Sequence, residues 1–401
     1  MPKILITGNG FDLSFGLPTG YSDFIKICKK LKESSKFDWN DFREDISILK
    51  ISDSVPNSSF QDFESFQKRL QDSTWFNYLS RIFTINTWID FEKYIEKALS
   101  IIQSSLNEIK TETFLKNGRY FKSDIIYYKE NFHKENYEIY LTLLDFKIFL
   151  NNSFMVPQLN PIFLRSIDEF HVDFENDILF SSILNDLNTF RNIFQEYLRE
   201  IVIPLYDLLK SDERRILLQK ITHHFTFNYT PTFSKLVSNK PGTCFLHGEL
   251  EANNIILGIN EWENISIDGP NLIPFTKYFQ KLNFGIDLKF INEIEGRDKL
   301  YQFFFWGHSL DKSDAIYINE VFDRIEALEK KHSKGKIIIV YHSDSSRFSI
   351  IKNLIEIRGS KDIMKKQRSG ELVFLQSSSE ELKKELKLNI PARSIENIRI
   401  Y

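Results

Sequence analysis

The sequence predicts an α/β protein in which a Rossmann-like parallel sheet is interrupted by a large helical insertion. Short apolar runs alternate with helical patterns at the start of the chain and again from residue 223 onward. Such alternation is typical of a parallel sheet covered by helices on both faces. Between these parts the chain is low in glycine and has apolar residues three and four apart, as helices do. We therefore divide it into a discontinuous α/β domain, residues 1–33 and 215–401, and a helical insertion, residues 34–214.

The first apolar run and the turn after it are the most informative stretch. Gly8 and Gly10 follow the run directly, and glycine lets a backbone turn sharply and come close to a ligand. The next apolar series predicts a helix that begins near Thr19 or Ser22. Strand, glycine turn and helix N-terminus together are typical of a nucleotide-phosphate site. Leu13 stands where a dinucleotide fingerprint has its third glycine, so an ordinary strand-to-helix turn is the alternative for this stretch taken alone.

Apolar patterning predicts the remaining elements. The predicted strands cover residues 3–7, 223–227, 243–246, 254–257, 301–306, 336–341 and 372–375. The helical patterns cover residues 60–83, 88–109, 174–209, 313–328 and 346–357. Pro204 lies inside the third helical pattern, where proline ends or kinks a helix.

Composition indicates a globular protein in the cytoplasm. The 401 residues, 42% of them apolar, suffice for a large core and two domains. A formal net charge of −3 counts against a main role in binding nucleic acid. No apolar run approaches the roughly 20 residues that span a bilayer, and the N-terminus lacks a signal-peptide profile. Cys28 and Cys244 are too few for a disulfide framework or a four-cysteine zinc site. We expect no membrane partner and no metal.

Small or polar residues follow six of the predicted strands, at the edge where open parallel sheets bind their ligands. The clusters are Gly8, Asn9 and Gly10; Asn228, Tyr229 and Thr230; His247 and Gly248; Gly258, Ile259 and Asn260; Gly307, His308 and Ser309; and His342, Ser343 and Asp344. One such cluster is an ordinary turn, but the set as a whole predicts a binding site.

Each of the main candidates also has a structural alternative. Asn228 is of a residue type common in turns, and His247 taken alone is a satisfied histidine at a strand end. His308 either aids substrate binding or only packs. Asp344 either accepts hydrogen bonds from ribose hydroxyls or is a solvated loop acid.

Four acidic residues are assigned structural roles instead. Asp311 and Asp314 come just before a predicted helix, where capping and interaction with the helix dipole are favoured. Asp90 and Glu92 lie near another helix start and serve its dipole in the same way. Their spacing puts these two carboxylates on different helix faces, so they are not a natural catalytic pair.

The opening stretch and several later motifs resemble the bacteriophage abortive infection AbiH family. The distinctive match is ILITGNGFDL at residues 4–13 with GLPTGY at residues 16–21. Shorter motifs follow in the family's order at residues 88–92, 227–230, 247–248 and 307–311. The resemblance covers most of the chain and implies an anti-phage protein.

The same order of motifs is similar, more distantly, to sirtuin-like NAD-binding domains. That similarity implies that Asn228 and His247 are the catalytic pair and that Gly8 and Gly10 take the phosphates. The residues expected to bind NAD are Gly8, Asn9, Gly10, Asp12, Pro18, Thr19, Tyr229, Gly307, His308, Ser309 and Asp344. Sirtuin deacetylases also carry a four-cysteine zinc module, which two cysteines cannot supply. This departure favours the sirtuin-like hydrolases of anti-phage systems, which cleave NAD.

The resemblance thus implies an abortive infection effector that hydrolyses its substrate NAD to nicotinamide and ADP-ribose. Asn228 orients a water or a ribose hydroxyl, and His247 acts as general base. The alternatives are a nucleotide or ADP-ribose sensor that does not hydrolyse its ligand, and a scaffold that recognises a phage component through the helical region. Besides NAD, the partners considered are a second copy of the chain, a phage-derived trigger and a co-encoded protein. Constant activity is toxic, so we expect an inactive resting state.

Overall fold

The structure, a computed structural model, has a six-stranded parallel sheet at its centre. It describes residues 2–83, 91–114, 137–150, 158–166, 172–209, 213–237, 241–260, 272–286, 290, 301–329 and 335–387. In chain order the strands are β1 (Lys3–Thr7), β2 (Phe149–Leu150), β3 (Gln158–Leu159), β4 (Leu164–Ser166), β5 (Val172–Phe174), β6 (His223–Thr226), β7 (Thr243–Phe245), β8 (Gln302–Trp306), β9 (Lys336–Tyr341) and β10 (Leu372–Gln376). The order across the sheet is β10–β9–β8–β1–β6–β7, while β2 with β3 and β4 with β5 form short antiparallel pairs.

Helices make up most of the remaining described chain. The α-helices are α1 (Asn9–Leu13), α2 (Tyr21–Glu33), α3 (Ser47–Ile51), α4 (Phe63–Asp72), α5 (Thr74–Ile82), α6 (Phe91–Phe114), α7 (Tyr137–Asp145), α8 (Asn176–Tyr197), α9 (Glu213–Leu218), α10 (Thr232–Leu236), α11 (Lys277–Phe284), α12 (Ala315–Glu329), α13 (Asp344–Arg358), α14 (Ser360–Arg368) and α15 (Glu380–Lys387). The 3-10 turns are Trp39–Phe42, Pro161–Phe163, Ile203–Leu208, Ile273–Phe275 and Lys312–Asp314, and Leu198–Val202 is a π-turn. None of the described helices has both the length and the hydropathy that crossing a bilayer requires.

The sheet is buried on both faces, which confirms the predicted α/β class. Leu5 and Phe304 pack on one face with residues of α9 and α15. Their chain neighbours Ile6 and Phe305 pack on the other face with residues of α12. All four side chains are almost completely buried. Because successive side chains point to opposite faces, a strand covered on both sides is a continuous apolar run, and this is the pattern that the sequence shows.

One predicted strand is wrong. Residues 254–257 lie next to the strand ends without joining the sheet as a strand. The backbone N–H of Ile256 donates to the carbonyl of His247 at 2.8 Å. The N–H of Leu257 donates to the side-chain oxygen of Gln280 at 3.2 Å, so an amide side chain replaces part of a strand ladder. The other predicted strands agree with β1 and β6–β10 to within one residue at each end.

Between residues 34 and 214, helical patterning predicted α4, α5, α6 and α8, but not the short helices α3 and α7 or the short strands β2–β5. The pattern over 60–83 contains two helices, α4 and α5, which meet at Ser73, and the Ser73 hydroxyl accepts a hydrogen bond from the N–H of Phe76 at 3.2 Å. The pattern over 174–209 is α8 followed by a π-turn and a 3-10 turn, and Pro204 lies at the start of that 3-10 turn. Proline lacks an N–H and cannot continue an α-helix, so this change of helix type is the expected effect.

Helix α2 packs within the helical region, although the sequence analysis assigns it to the α/β domain. Its Phe24 ring is enclosed by rings from α5, α6 and α8, with centroid separations that include 6.2 Å to Phe76 and 5.0 Å to Phe194. Strand β1 thus lies in the sheet, whereas α2, which follows it in the chain, packs in the aromatic core of the helical region. The predicted boundaries at residues 33 and 215 stay a prediction.

Candidate active site

One row of residues crosses the carboxyl edge of the sheet. Thr7 of β1 pairs with Thr226 of β6 and with Trp306 of β8, and Thr226 pairs with Phe245 of β7. Two residues beyond these paired positions stand Asn9, Asn228, His308 and His247. All of them except Asn9 are less than a tenth exposed. The register therefore brings four of the predicted site residues to the ends of four adjacent strands.

Asn228 is held in place by Asp12. Its Nδ2 donates to Asp12 Oδ1 at 2.8 Å and to the carbonyl of Gly8 at 3.1 Å. The Thr230 hydroxyl donates to the other carboxyl oxygen of Asp12. Asp12 is completely buried, and burial raises its pKa to about 7. We call Asp12, Asn228 and Thr230 the Asp12 cluster. Since it uses the amide nitrogen of Asn228, the amide oxygen is left with no hydrogen bond to a described residue.

A second buried carboxylate, Asp314, lies between the two histidines of the row. Asp314 Oδ2 is 3.2 Å from His308 Nε2, and Oδ1 is 3.1 Å from His247 Nε2. His308 Nδ1 accepts from the N–H of Leu310 at 2.9 Å, so a neutral His308 carries its proton on the nitrogen that faces Asp314. The His247 contact lies off hydrogen-bond geometry, and within the described chain neither of its two atoms has a hydrogen bond. We call Asp314, His247 and His308 the Asp314 cluster.

The charges around this cluster follow from burial and from one ion pair. Lys277 Nζ lies 2.6 Å from Glu92 Oε1, and the lysine is less than a tenth exposed. Although burial opposes ionisation, the charge of Lys277 and the hydrogen bond with His308 hold the pKa of Asp314 well below its usual range. Burial lowers the pKa of His247 to about 3, although the Asp314 carboxylate acts in the opposite direction. At neutral pH an ionised Asp314 therefore faces an uncharged His247.

The glycine turn after β1 packs tightly against the end of β8. The N–H of Gly8 donates to the carbonyl of Trp306 at 3.1 Å, and that of Gly10 donates to the carbonyl of Gly307 at 2.8 Å. A Cβ on Gly8 would lie only 2.7 Å from the Cα of His308. Glycine at positions 8 and 10 thus lets the turn after β1 pack directly against the turn after β8. The phosphate-binding role of Gly8 and Gly10 stays a prediction, and their amides already have acceptors.

Pro18 and Thr19 lie between this turn and α2. The Thr19 hydroxyl donates to Asn9 Oδ1 at 2.7 Å, and the carbonyl of Pro18 accepts from the Tyr197 hydroxyl at 2.7 Å. Helix α2 begins at Tyr21, between the two predicted starting points, and at its N-terminus the Asp23 carboxylate accepts from the N–H of Gly20 at 3.2 Å. The short helix α1, directly after Gly8, was not predicted.

The hydrogen bonds of Tyr229 and Ser309 join them to residues outside the two clusters. The Tyr229 hydroxyl donates to the carbonyl of Ile256 at 2.8 Å. Tyr229 also lines a cleft of about 200 Å³ whose other walls include Glu249 and Glu251, whereas Asn228 and His247 do not line it. The half-buried Ser309 accepts a hydrogen bond from Asn353 through its carbonyl at 3.0 Å, and Asp344 is an exposed residue at the start of α13.

The predicted role of Asp314 in helix capping is wrong. Its neighbour Asp311 does cap, since Oδ1 accepts from the N–H of Ser313 at 3.0 Å. Asp314 instead turns inward to His247 and His308. In the sequence, the one nearby feature that points to a site role for Asp314 is the group Gly307, His308 and Ser309 just before it. Glu92 lies in the first turn of α6, as predicted, and also pairs with a buried lysine, whereas Asp90 lies outside the described residues. The described chain contains no group of three or more His, Cys, Asp or Glu placed to hold a metal ion.

Fold and site together define an α/β protein with a Rossmann-like parallel sheet and buried polar clusters at its carboxyl edge. Residues 4–333 match the family model described as bacteriophage abortive infection AbiH. The chain belongs to this family, which confirms that part of the resemblance and indicates a role in abortive infection of phage. No curated protein and no solved structure gives a significant match. The sirtuin-like character of the sheet stays a prediction.

Proposed function

We propose that this protein is an abortive infection effector that hydrolyses NAD to nicotinamide and ADP-ribose, with Asn228 and His247 as its catalytic residues. The observation that carries the proposal is the register of β6 and β7. Asn228 and His247 each lie two residues beyond the paired positions Thr226 and Phe245, at the carboxyl edge of a Rossmann-like sheet, where such sheets bind nucleotides. Membership of the AbiH family supports the biological setting.

Catalysis of this reaction depends more on positioning the reactants than on strong acid–base chemistry. The bond between ribose C1′ and the nicotinamide nitrogen breaks, and its electron pair neutralises the pyridinium, so nicotinamide leaves as a neutral molecule. A water oxygen bonds to C1′ through an oxocarbenium-like transition state, as in glycoside hydrolysis. The proton that this water loses must reach a base. The enzyme therefore has to hold the dinucleotide, place the water and accept one proton.

The two clusters offer groups for the last two tasks. Because Asp12 holds the amide nitrogen of Asn228, the amide oxygen is available to a water or a ribose hydroxyl. Asp314 faces Nε2 of His247, so a proton on Nε2 leaves Nδ1 as the acceptor for the water proton. The negative charge of Asp314 stabilises the imidazolium that results, as the carboxylate does in a catalytic triad.

Burial in this conformation makes His247 a poor base. A general base works best with a pKa near the working pH, whereas burial lowers the pKa of His247 to about 3. His247 and Asn228 are also almost closed off from solvent. Both features support an inactive resting state that infection relieves by opening the site to water and NAD.

The test is nicotinamide release from NAD by the purified protein, together with NAD levels in cells with and without infection. Asn228→Ala and His247→Ala are expected to lose cleavage. Asn185→Ala on the exposed face of α8 and His223→Ala at the amino end of β6 are matched controls and should retain it. Cleavage only in infected cells would indicate a gated enzyme. Intact NAD in both settings, or full cleavage by folded Asn228→Ala and His247→Ala proteins, contradicts the proposal.

A further inference from the structure

Helix α11 brings two buried lysines to the edge of the candidate active site. Lys277 and Lys281 are one helical turn apart, and both are less than a tenth exposed. Lys277 is neutralised by Glu92. Lys281 Nζ instead donates to the hydroxyl of Tyr317 at 2.6 Å, and it has no carboxylate within 4 Å among the described residues. Its charge thus lacks an ion-pair partner there.

Lys281 lies beside the end of β7, next to the proposed general base. The Tyr317 hydroxyl that accepts from Lys281 is also 3.4 Å from the carbonyl of Leu246, the residue before His247. The rings of Tyr317 and His247 are 6.4 Å apart. Tyr317 therefore connects the ammonium group to the strand end at which we place the reaction.

Burying an ammonium group without a carboxylate partner is unfavourable for folding. Burial lowers the pKa of Lys281 to about 8, although the nearby Asp314 carboxylate acts in the opposite direction. At neutral pH most molecules still carry the positive charge, because the pKa lies above the pH. Shifted groups of this kind concentrate where a protein binds ligands or performs chemistry.

We propose that Lys281 binds the diphosphate of the dinucleotide, an inference that rests on the proposed function. The glycine amides expected to hold the phosphates already donate to carbonyls of the protein. Lys281 is a cation at the same edge of the sheet, and the part of the chain that the structure describes puts no carboxylate within 4 Å of it. Lysine binds phosphate oxygens as a point charge, and a diphosphate would give the Lys281 ammonium group a directly bonded negative partner.

The test is the binding of three probes by calorimetry to the full chain: ADP-ribose and inorganic pyrophosphate, which carry the diphosphate, and nicotinamide riboside, which does not. Hydrogen bonds to charged groups correspond to at least roughly tenfold in affinity. Lys281→Met is therefore expected to weaken ADP-ribose and pyrophosphate at least roughly tenfold, to leave nicotinamide riboside unchanged, and to reduce the salt dependence of binding. Lys235→Met, the same change at an exposed lysine of α10, should alter none of these.

Lys281→Met replaces a buried charge by an apolar chain of similar length, so the variant should fold, and its thermal unfolding midpoint checks this. Unchanged ADP-ribose affinity in the folded variant overturns the inference, as does a wild-type protein that binds neither ADP-ribose nor pyrophosphate. NAD cleavage with an unaltered KM in Lys281→Met contradicts the Lys281 inference alone. Lysine-dependent binding of ADP-ribose without any NAD cleavage contradicts the proposed function alone.

Discussion

At the scale of single residues, Asp12 makes a prediction about pH. Its folded-state pKa is raised to about 7 by burial, above the ordinary value of 3.8. Between pH 3.8 and about 7, the folded state holds a proton on Asp12 that the unfolded state has lost. The free energy of unfolding therefore falls as the pH rises through this range. Asp12→Asn should remove this loss, which amounts to at most about 4 kcal/mol. Urea unfolding of both proteins from pH 4 to pH 8 measures it, and parallel profiles would contradict the prediction.

Asp314 makes a prediction about catalysis. Asp314→Asn keeps the shape of the side chain but removes the charge that faces His247 and His308. General acid–base assistance contributes roughly 100-fold to 10,000-fold, so nicotinamide release should fall by about 100-fold or more, in kcat rather than in KM. Asp311→Asn, in the same turn but with its carboxylate on a backbone N–H, is the matched control. Equal rates in the two variants would exclude a role for Asp314 in the reaction.

Comparing Asn228 with Asp314 shows which residues of the candidate site the sequence predicts and which it does not. Asn228 and His247 follow apolar runs directly, and a strand end is visible in the sequence as the place where the run stops. Asp314 occupies a position where capping is the commoner use of an aspartate. Its contacts with two histidines depend on the register of four strands, β8, β1, β6 and β7, and on the turn before α12. The residues next to Asp314 in the sequence therefore do not predict these contacts.

At the scale of elements, the ion pair between α6 and α11 carries a prediction about stability. Glu92→Gln leaves Lys277 buried without its carboxylate, and breaking a buried pair on one side costs about 3 kcal/mol. The free energy of unfolding in urea should fall by that amount. Adding Lys277→Met should recover much of the loss, because the uncompensated charge is then gone. A double variant less stable than Glu92→Gln would show that the pair has another function.

The elements of the sheet were predictable because buried parallel strands are continuous apolar runs. Residues 254–257 show where this reasoning fails. The run is as apolar as a strand, but periodicity does not reveal which group will pair with its backbone. In the structure a glutamine side chain of α11 takes part of that role. For the same reason the sequence did not show that α2 packs against α8 instead of the sheet.

At the scale of the whole molecule, the question is whether the sheet acts or only supports the helical region. If the α/β part cleaves NAD, Asn228→Ala should abolish both the fall in NAD and the protection of the infected culture. If the helical region recognises a phage component and the sheet is a scaffold, the same variant should keep protection.

Phage plating efficiency and NAD content, measured in parallel on cells with equal amounts of wild type, Asn228→Ala and Asn185→Ala, separate these cases. The amide nitrogen of Asn228 donates to a buried carboxylate, so its loss also disturbs Asp12. Asn228→Asp, which keeps the size of the side chain, and the thermal unfolding midpoints of all variants therefore accompany the assay. Protection without any fall in NAD, in folded variant and wild type alike, would move the function of this AbiH protein from the sheet edge to the helical region.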